Sequence, residues 1–143
     1  MIRQAKDRER GSVTLWVLGL CVMMLFMGGI SLDLWRAFSE RRALASAVDA
    51  AAVAGASGID TDRYRSNGDV QLDRALSESL AWDALRKEGD TRSLIDATVD
   101  TTTRDVTVTA VGRVDFMLLR IFLSHEEPFT VTVHATAEPR RSR

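Results

Sequence analysis

The sequence predicts an α+β chain: a transmembrane helix running on into an alanine-rich helix, then a helix packed on a small antiparallel sheet. Three observations predict it. Residues 13–32, VTLWVLGLCVMMLFMGGISL, contain no charged side chain. No proline interrupts the stretch between Leu32 and Gly55, which is dominated by Ala, Leu, Arg and Glu, all helix-favouring. From Ile95 onward apolar residues recur with period 2, the spacing of half-buried strands.

A chain of 143 residues can build one small domain with an appendage, which excludes a two-lobed enzyme. Lys and Arg number 19 and Asp and Glu 20, a net charge of -1, so composition gives no bias toward nucleic acid, and none is expected as a partner. The charge is uneven: residues 1–42 carry seven basic and four acidic side chains, the remainder twelve and sixteen. The single cysteine, Cys21, sits in the apolar run. It has no second thiolate for a metal site or an intramolecular disulfide, so the core must hold together unaided.

Val13 to Leu32 is twenty residues long. At ~1.5 Å per residue that covers about 30 Å, the thickness of a bilayer's hydrocarbon core. A cleavable signal peptide has an apolar region of roughly 7 to 15 residues with a small-residue site close behind. Here the run is longer, and Ala45-Ser46-Ala47 comes a dozen residues later. Arg3, Lys6, Arg8 and Arg10 precede the span and Arg36, Arg41 and Arg42 follow it, which favours a cytoplasmic N-terminus by a narrow margin. Trp16 and Trp35 stand near its two ends, as interfacial aromatics do. Asp33 ends the span where its carboxylate reaches headgroups or water; at the bilayer centre it would cost ~2.5 to 3.5 kcal/mol. Membrane lipid is thus the first expected partner, with Arg41 and Arg42 near its phosphates, at ~1 kcal/mol each.

Beyond the membrane, Leu34, Phe38, Leu44 or Ala45, Val48, Ala51 or Ala52, and Gly55 recur at three- and four-residue spacing. As one helix, Val13 to Ala56 would form a rod of about 65 Å. Small residues on a helix let another backbone approach closely, so this stripe predicts packing, either with a partner or with the chain's own downstream domain. A plain stalk is the simpler alternative. Asp33, Leu44, Val48, Asp49, Ala52 and Gly55 are the candidate packing residues.

The same stretch carries Arg10-Gly11 before the apolar run, Asp33-Leu34 at its end, Arg41-Arg42 and Leu44, then Asp49-Ala50-Ala51-Ala52-Val53-Ala54-Gly55-Ala56. It resembles the N-terminal region of the TadE/TadG-like proteins of the tight-adherence (Flp) pilus assembly system. The resemblance covers about a third of the chain and rests chiefly on the Asp-Ala-Ala-Ala element at that distance from a span. It implies a single-pass protein of the cytoplasmic (inner) membrane, N-terminus inside and pilin-like domain outside, that works with other Tad subunits or pilin, or with a second copy of itself. Pilin-like relatives are cut by a prepilin peptidase after a glycine that is followed five residues later by Glu. Gly11 stands at the candidate processing position, but Trp16 is the fifth residue after it. A buried carboxylate neutralises a neighbouring subunit's N-terminal ammonium, and indole does not. A retained assembly component therefore fits better than a fibre subunit.

Ser57 to Gly68, SGIDTDRYRSNG, reads as a loop. Asp69 then offers an N-cap, Leu72, Leu76 and Leu80 with Ala75 a helical stripe, and Gly89 a stop, which predicts a helix over Val70–Glu88. Ile95, Ala97 and Val99 alternate with Asp96, Thr98 and Asp100, and Val106, Val108 and Ala110 with Thr107 and Thr109, joined by TTTRD. Phe129, Val131, Val133 and Ala135 form a third strand after Pro128. DFMLLRIFLS, Asp115–Ser124, suits a strand or a short helix; a helix that crosses to the third strand is favoured, since Phe116, Leu119 and Leu123 share one face. The expected parts are a cytoplasmic tail at 1–12, a transmembrane helix at 13–32, an Ala-rich extension at 33–57 and an extracytoplasmic α+β domain at 58–143.

Chemistry is sparse. His125 beside Glu126 and Glu127 is the one spot that invites a metal or acid/base reading, and only His134 could add a second imidazole. Adjacent turn residues point in different directions, and HExxH, G-x-S-x-G, Gly-rich phosphate loops and Cys-x-x-Cys are all missing from the sequence. No enzyme activity, cofactor or metal is expected, and the terminal Arg140–Arg143 reads as a solvated tail.

Overall fold

The computed structural model describes residues 5–88, 94–116 and 129–140. The elements are α1 (Ala5–Ala56), α2 (Thr61–Asn67), α3 (Arg74–Glu88), β1 (Leu94–Thr101), β2 (Val106–Val114) and β3 (Phe129–Ala137). The α+β class holds, with the long apolar helix at the N-terminal end. The chain divides into two compact units, one containing residues 1–36 and the other residues 37–115 and 125–143.

Helix α1 runs for 52 residues without a break, so the apolar run and the alanine-rich stretch form one helix. Its apolar part is long enough to cross a membrane, and nearly every side chain from Ser12 to Leu32 is exposed. Such a surface suits lipid as its solvent.

In the second unit the sheet is antiparallel throughout, in the order β1-β2-β3. The central strand alternates cleanly: Val106, Val108, Ala110 and Val114 are buried, while Thr107, Thr109 and Val111 are half-exposed. Period-2 patterning with β-branched residues on both faces is what such a half-buried strand requires. Register aligns Ala97 with Ala110 and Val133, and Val99 with Val108 and Ala135, so each core-facing row crosses all three strands. Register shifts between Leu94 and Asp96, and the bulge turns Ile95 outward, 49% exposed. The sequence alternation placed Ile95 with Ala97; one extra residue reverses the parity. The β1–β2 turn closes through Thr102, whose N–H donates to the Asp105 carbonyl at 2.9 Å. Its hydroxyl oxygen accepts from the Arg104 and Asp105 N–H groups, both at 3.1 Å.

The stretch read as a loop contains α2. Asp60 caps it, its side chain accepting from the N–H of Asp62 and of Arg63, and Gly68 ends it at φ 66, the left-handed region that glycine adopts without strain. Helix α3 starts four residues later than expected. Asp73, not Asp69, is its cap: Asp73 Oδ1 accepts from Ala75 N at 3.0 Å and Leu76 N at 3.2 Å. Leu72 is held extended by a bridge to Ile59, which excludes it from the helix. The buried face of α3 is Ser77, Ala81 and Leu85, whereas Leu76 is 45% exposed. The expected stop at Gly89, the crossing helix beyond Phe116, His125 to Glu127 and residues 141–143 lie outside the described residues.

Candidate functional site

The core of the second unit brings together Leu44, Ala47, Val48, Ala51 and Ala52 of α1 with Leu72, Ala81 and Leu85 and with Val106, Val108 and Ala110 of β2. Val48 and Ala51 are fully buried and Ala52 is 1% exposed. The alanines serve close packing. A Cβ at Gly55 would lie 2.9 Å from Val106 Cγ1, 3.2 Å from Ala81 Cβ and 3.2 Å from the Ser77 carbonyl oxygen. One turn on, a Cβ at Gly58 would meet Ser77 Oγ at 2.5 Å and Ser77 N at 2.8 Å. Ser77 is itself fully buried, and its hydroxyl donates to the Gly58 carbonyl at 3.1 Å. That bond satisfies the buried hydroxyl and gives the Gly58 carbonyl a second donor beside the Asp73 N–H at 2.9 Å, just past the end of α1, where helical partners run out.

Four of the six candidate packing residues, Leu44, Val48, Ala52 and Gly55, therefore lie in the chain's own core. The stripe is taken up by the downstream domain, the second of the two packing options. Asp49 is exposed on the opposite face, and Asp33, in the first unit, is buried at 5% exposure. Gly11 lies within α1. Cys21 is exposed among lipid-suited side chains.

Sequence reasoning missed the Gly58–Ser77 contact. A small residue just beyond a helix end is too common a pattern to point to a serine nineteen positions away.

The solvated surface offers little that converges. Among the described residues no group of three or more His, Cys, Asp or Glu side chains is placed to hold a metal ion. His134 stands exposed on the outer face of the sheet, opposite Thr109. Shallow hollows are lined by Glu78, Trp82, Asp83 and Arg86 on α3, and by Asp69, Gln71, Arg104 and Glu138 near the hairpin.

What the geometry defines is a class: an α+β domain whose core takes in the alanine-rich end of α1, a helix with an apolar part long enough to cross a membrane. Residues 11–58 match the Tad family model, Flp pilus-assembly TadE/G-like. The match begins at Gly11 within α1 and ends at Gly58, the residue whose carbonyl receives the Ser77 hydroxyl, and leaves α2, α3 and the sheet outside it. The resemblance read from the sequence is thus borne out over that segment, and it supports a role related to Flp pilus assembly at a membrane. No curated protein and no solved structure matches the chain.

Proposed function

We propose that this chain is a non-enzymatic, single-pass component of an Flp-type pilus-assembly or related secretion machine. It sits in the cytoplasmic membrane with its N-terminus inside and its α+β domain outside. The observation that carries this reading is the Tad match over 11–58, lying on one unbroken helix that joins an apolar run to a domain core. The alanine-rich segment then acts as a structural part of its own domain rather than as a bare stalk, and the domain is presented to other assembly subunits, to pilin or to a second copy. Of the six candidate residues, Asp49 is the one turned outward and available to such a partner. Trp16 in place of the carboxylate of processed pilins supports retention in the membrane without cleavage at Gly11.

A second reading is favoured by one observation: the sheet lies outside the matched segment. It makes the protein a membrane-anchored extracytoplasmic binding or sensing domain unconnected with pili. Deleting the protein from its host and counting surface fibres by electron microscopy separates the two. Loss of fibres, restored by the wild-type chain, supports the assembly role; an unchanged fibre count contradicts it and leaves the binding-domain reading.

A further inference from the structure

The sheet of the second unit has two edges, β1 and β3, and they are built differently. Strand β1 is blunted: its register shifts between Leu94 and Asp96, and Asp96 and Asp100 stand exposed along it. Strand β3 has no such device. It pairs with β2 from Phe129 to Ala137 without a register shift, and FTVTVHATA holds no Lys, Arg, Asp, Glu, Gly or Pro. The chain's two prolines, Pro128 and Pro139, stand just outside its ends. An edge strand turns every second N–H and C=O away from its sheet, where another strand can pair with it, and edges that stay single are protected by charge, proline or a bulge.

The pattern of β3 restricts what can pair there. Val131, Val133 and Ala135, on its core-facing side, are half-exposed, whereas Val108 and Ala110 beside them in β2 are fully buried. Helix α3 lies over β1 and β2. Half-covered apolar surface therefore runs along the same edge as the outward backbone groups. A strand added there must present apolar and polar residues in the same alternation, because a slip of one residue would exchange its faces. Strand β3 itself meets that condition. Laid antiparallel on a second copy about Val133, it sets Val131 opposite Ala135, Thr130 opposite Thr136 and Thr132 opposite His134, so apolar meets apolar and hydroxyl meets hydroxyl or imidazole. The same operation on β1, about Thr98, would set Asp96 opposite Asp100, like charges face to face.

We infer that β3 pairs antiparallel with β3 of a second copy of this chain, in the register centred on Val133, and joins two three-stranded sheets into one continuous sheet. The contact is isologous and closes on itself as a dimer. The pairing depends on the sheet and not on the pilus-assembly role, so fibre counts and the test below can fail separately.

Cross-linking of the full-length protein in detergent tests the register. In a chain carrying Cys21→Ser, which removes the natural thiol, Val133→Cys should form an intermolecular disulfide under mild oxidation. Directly opposed Cα atoms lie about 4.5–5.5 Å apart, within disulfide range. Val131→Cys and Ala135→Cys should each fail alone, since each lies about 13 Å along the strands from its own copy, and should link to each other when the two chains are co-expressed. Thr98→Cys, on the β1 edge, should stay unlinked. The wild-type chain should have twice its 15.8 kDa mass after correction for bound detergent. Thr132→Glu combined with His134→Glu sets carboxylate opposite carboxylate on the exposed face, and should abolish the dimer while leaving the circular dichroism spectrum unchanged. A Val133→Cys yield no greater than that of Thr98→Cys, or a dimer that survives the paired glutamates, overturns the proposal. So does a monomeric wild type, which leaves the edge to a strand of a different protein.

Discussion

Gly55 of α1 lies so close to Val106 of β2 that a Cβ there would fall 2.9 Å from the valine Cγ1. A substitution at Gly55 is therefore felt in the core of the domain before any partner is involved. Gly55→Ala should gain up to ~1 kcal/mol in helix propensity and lose about 1–3 kcal/mol to overpacking, a net loss of order 1 kcal/mol. Gly55→Leu should be far worse, and Val106→Ala should relieve part of the cost of Gly55→Ala, because residues in contact are not additive. Thermal unfolding of the full-length protein in detergent, followed by near-ultraviolet circular dichroism, measures all three. Additive effects of Gly55→Ala and Val106→Ala would contradict the contact. Loss of a partner on Gly55→Leu would report a damaged domain and not a helix–helix interface.

The Gly58–Ser77 contact makes a second expectation. Ser77→Ala removes one of two donors from the Gly58 carbonyl, which keeps the Asp73 N–H at 2.9 Å, and should cost about 0.5–1.5 kcal/mol, the net worth of one hydrogen bond. Gly58→Ala should be at least as damaging, since its Cβ would fall on Ser77 backbone as well as on the hydroxyl. Ser79→Ala, on the exposed face of α3, serves as the comparison and should change stability by less than ~0.5 kcal/mol.

Helix capping gives a third. Asp73→Ala should lower stability by about 1 kcal/mol, whereas Asp69→Ala, whose side chain accepts from Gln71 Nε2 at 2.8 Å and caps no helix, should lie within ~0.5 kcal/mol of wild type. Reversal of that order in the same unfolding measurement would restore the helix start expected from the sequence.

Core packing gives a fourth. Leu85 is 2% exposed and Leu76 45%, although the leucine spacing treats Leu76 as the core residue. Leu85→Ala should cost about 2–5 kcal/mol and Leu76→Ala much less. Equal losses would mean that α3 is rotated from the orientation described.

These expectations mark where the sequence was legible and where it was not. The strands were readable because Val106, Val108 and Ala110 alternate with threonines, a signal that depends on nothing distant. The long helix was readable for the same reason: twenty uncharged residues followed by a proline-free, alanine-rich stretch admit few other structures. Helix α2 was hidden because it buries no residue and so has no apolar stripe; it rests on the caps at Asp60 and Gly68. The core face of α3 was misplaced because apolarity ranks Leu72, Leu76 and Leu80 above Ser77 and Ala81. Close approach of α3 to Gly55 demands small residues instead, a requirement visible only once the two helices are side by side. The packing stripe of α1 was recognised, but local pattern does not reveal whether its occupant belongs to the same chain.

The central claim, a retained component of pilus assembly, is tested most directly by intact-mass spectrometry of the protein from membranes, with the sheared surface fraction measured beside it. A full-length chain confined to the membrane fraction is the result this account predicts. A chain lacking residues 1–11 and recovered in the sheared fibres would make it a processed subunit and contradict the reading of Trp16.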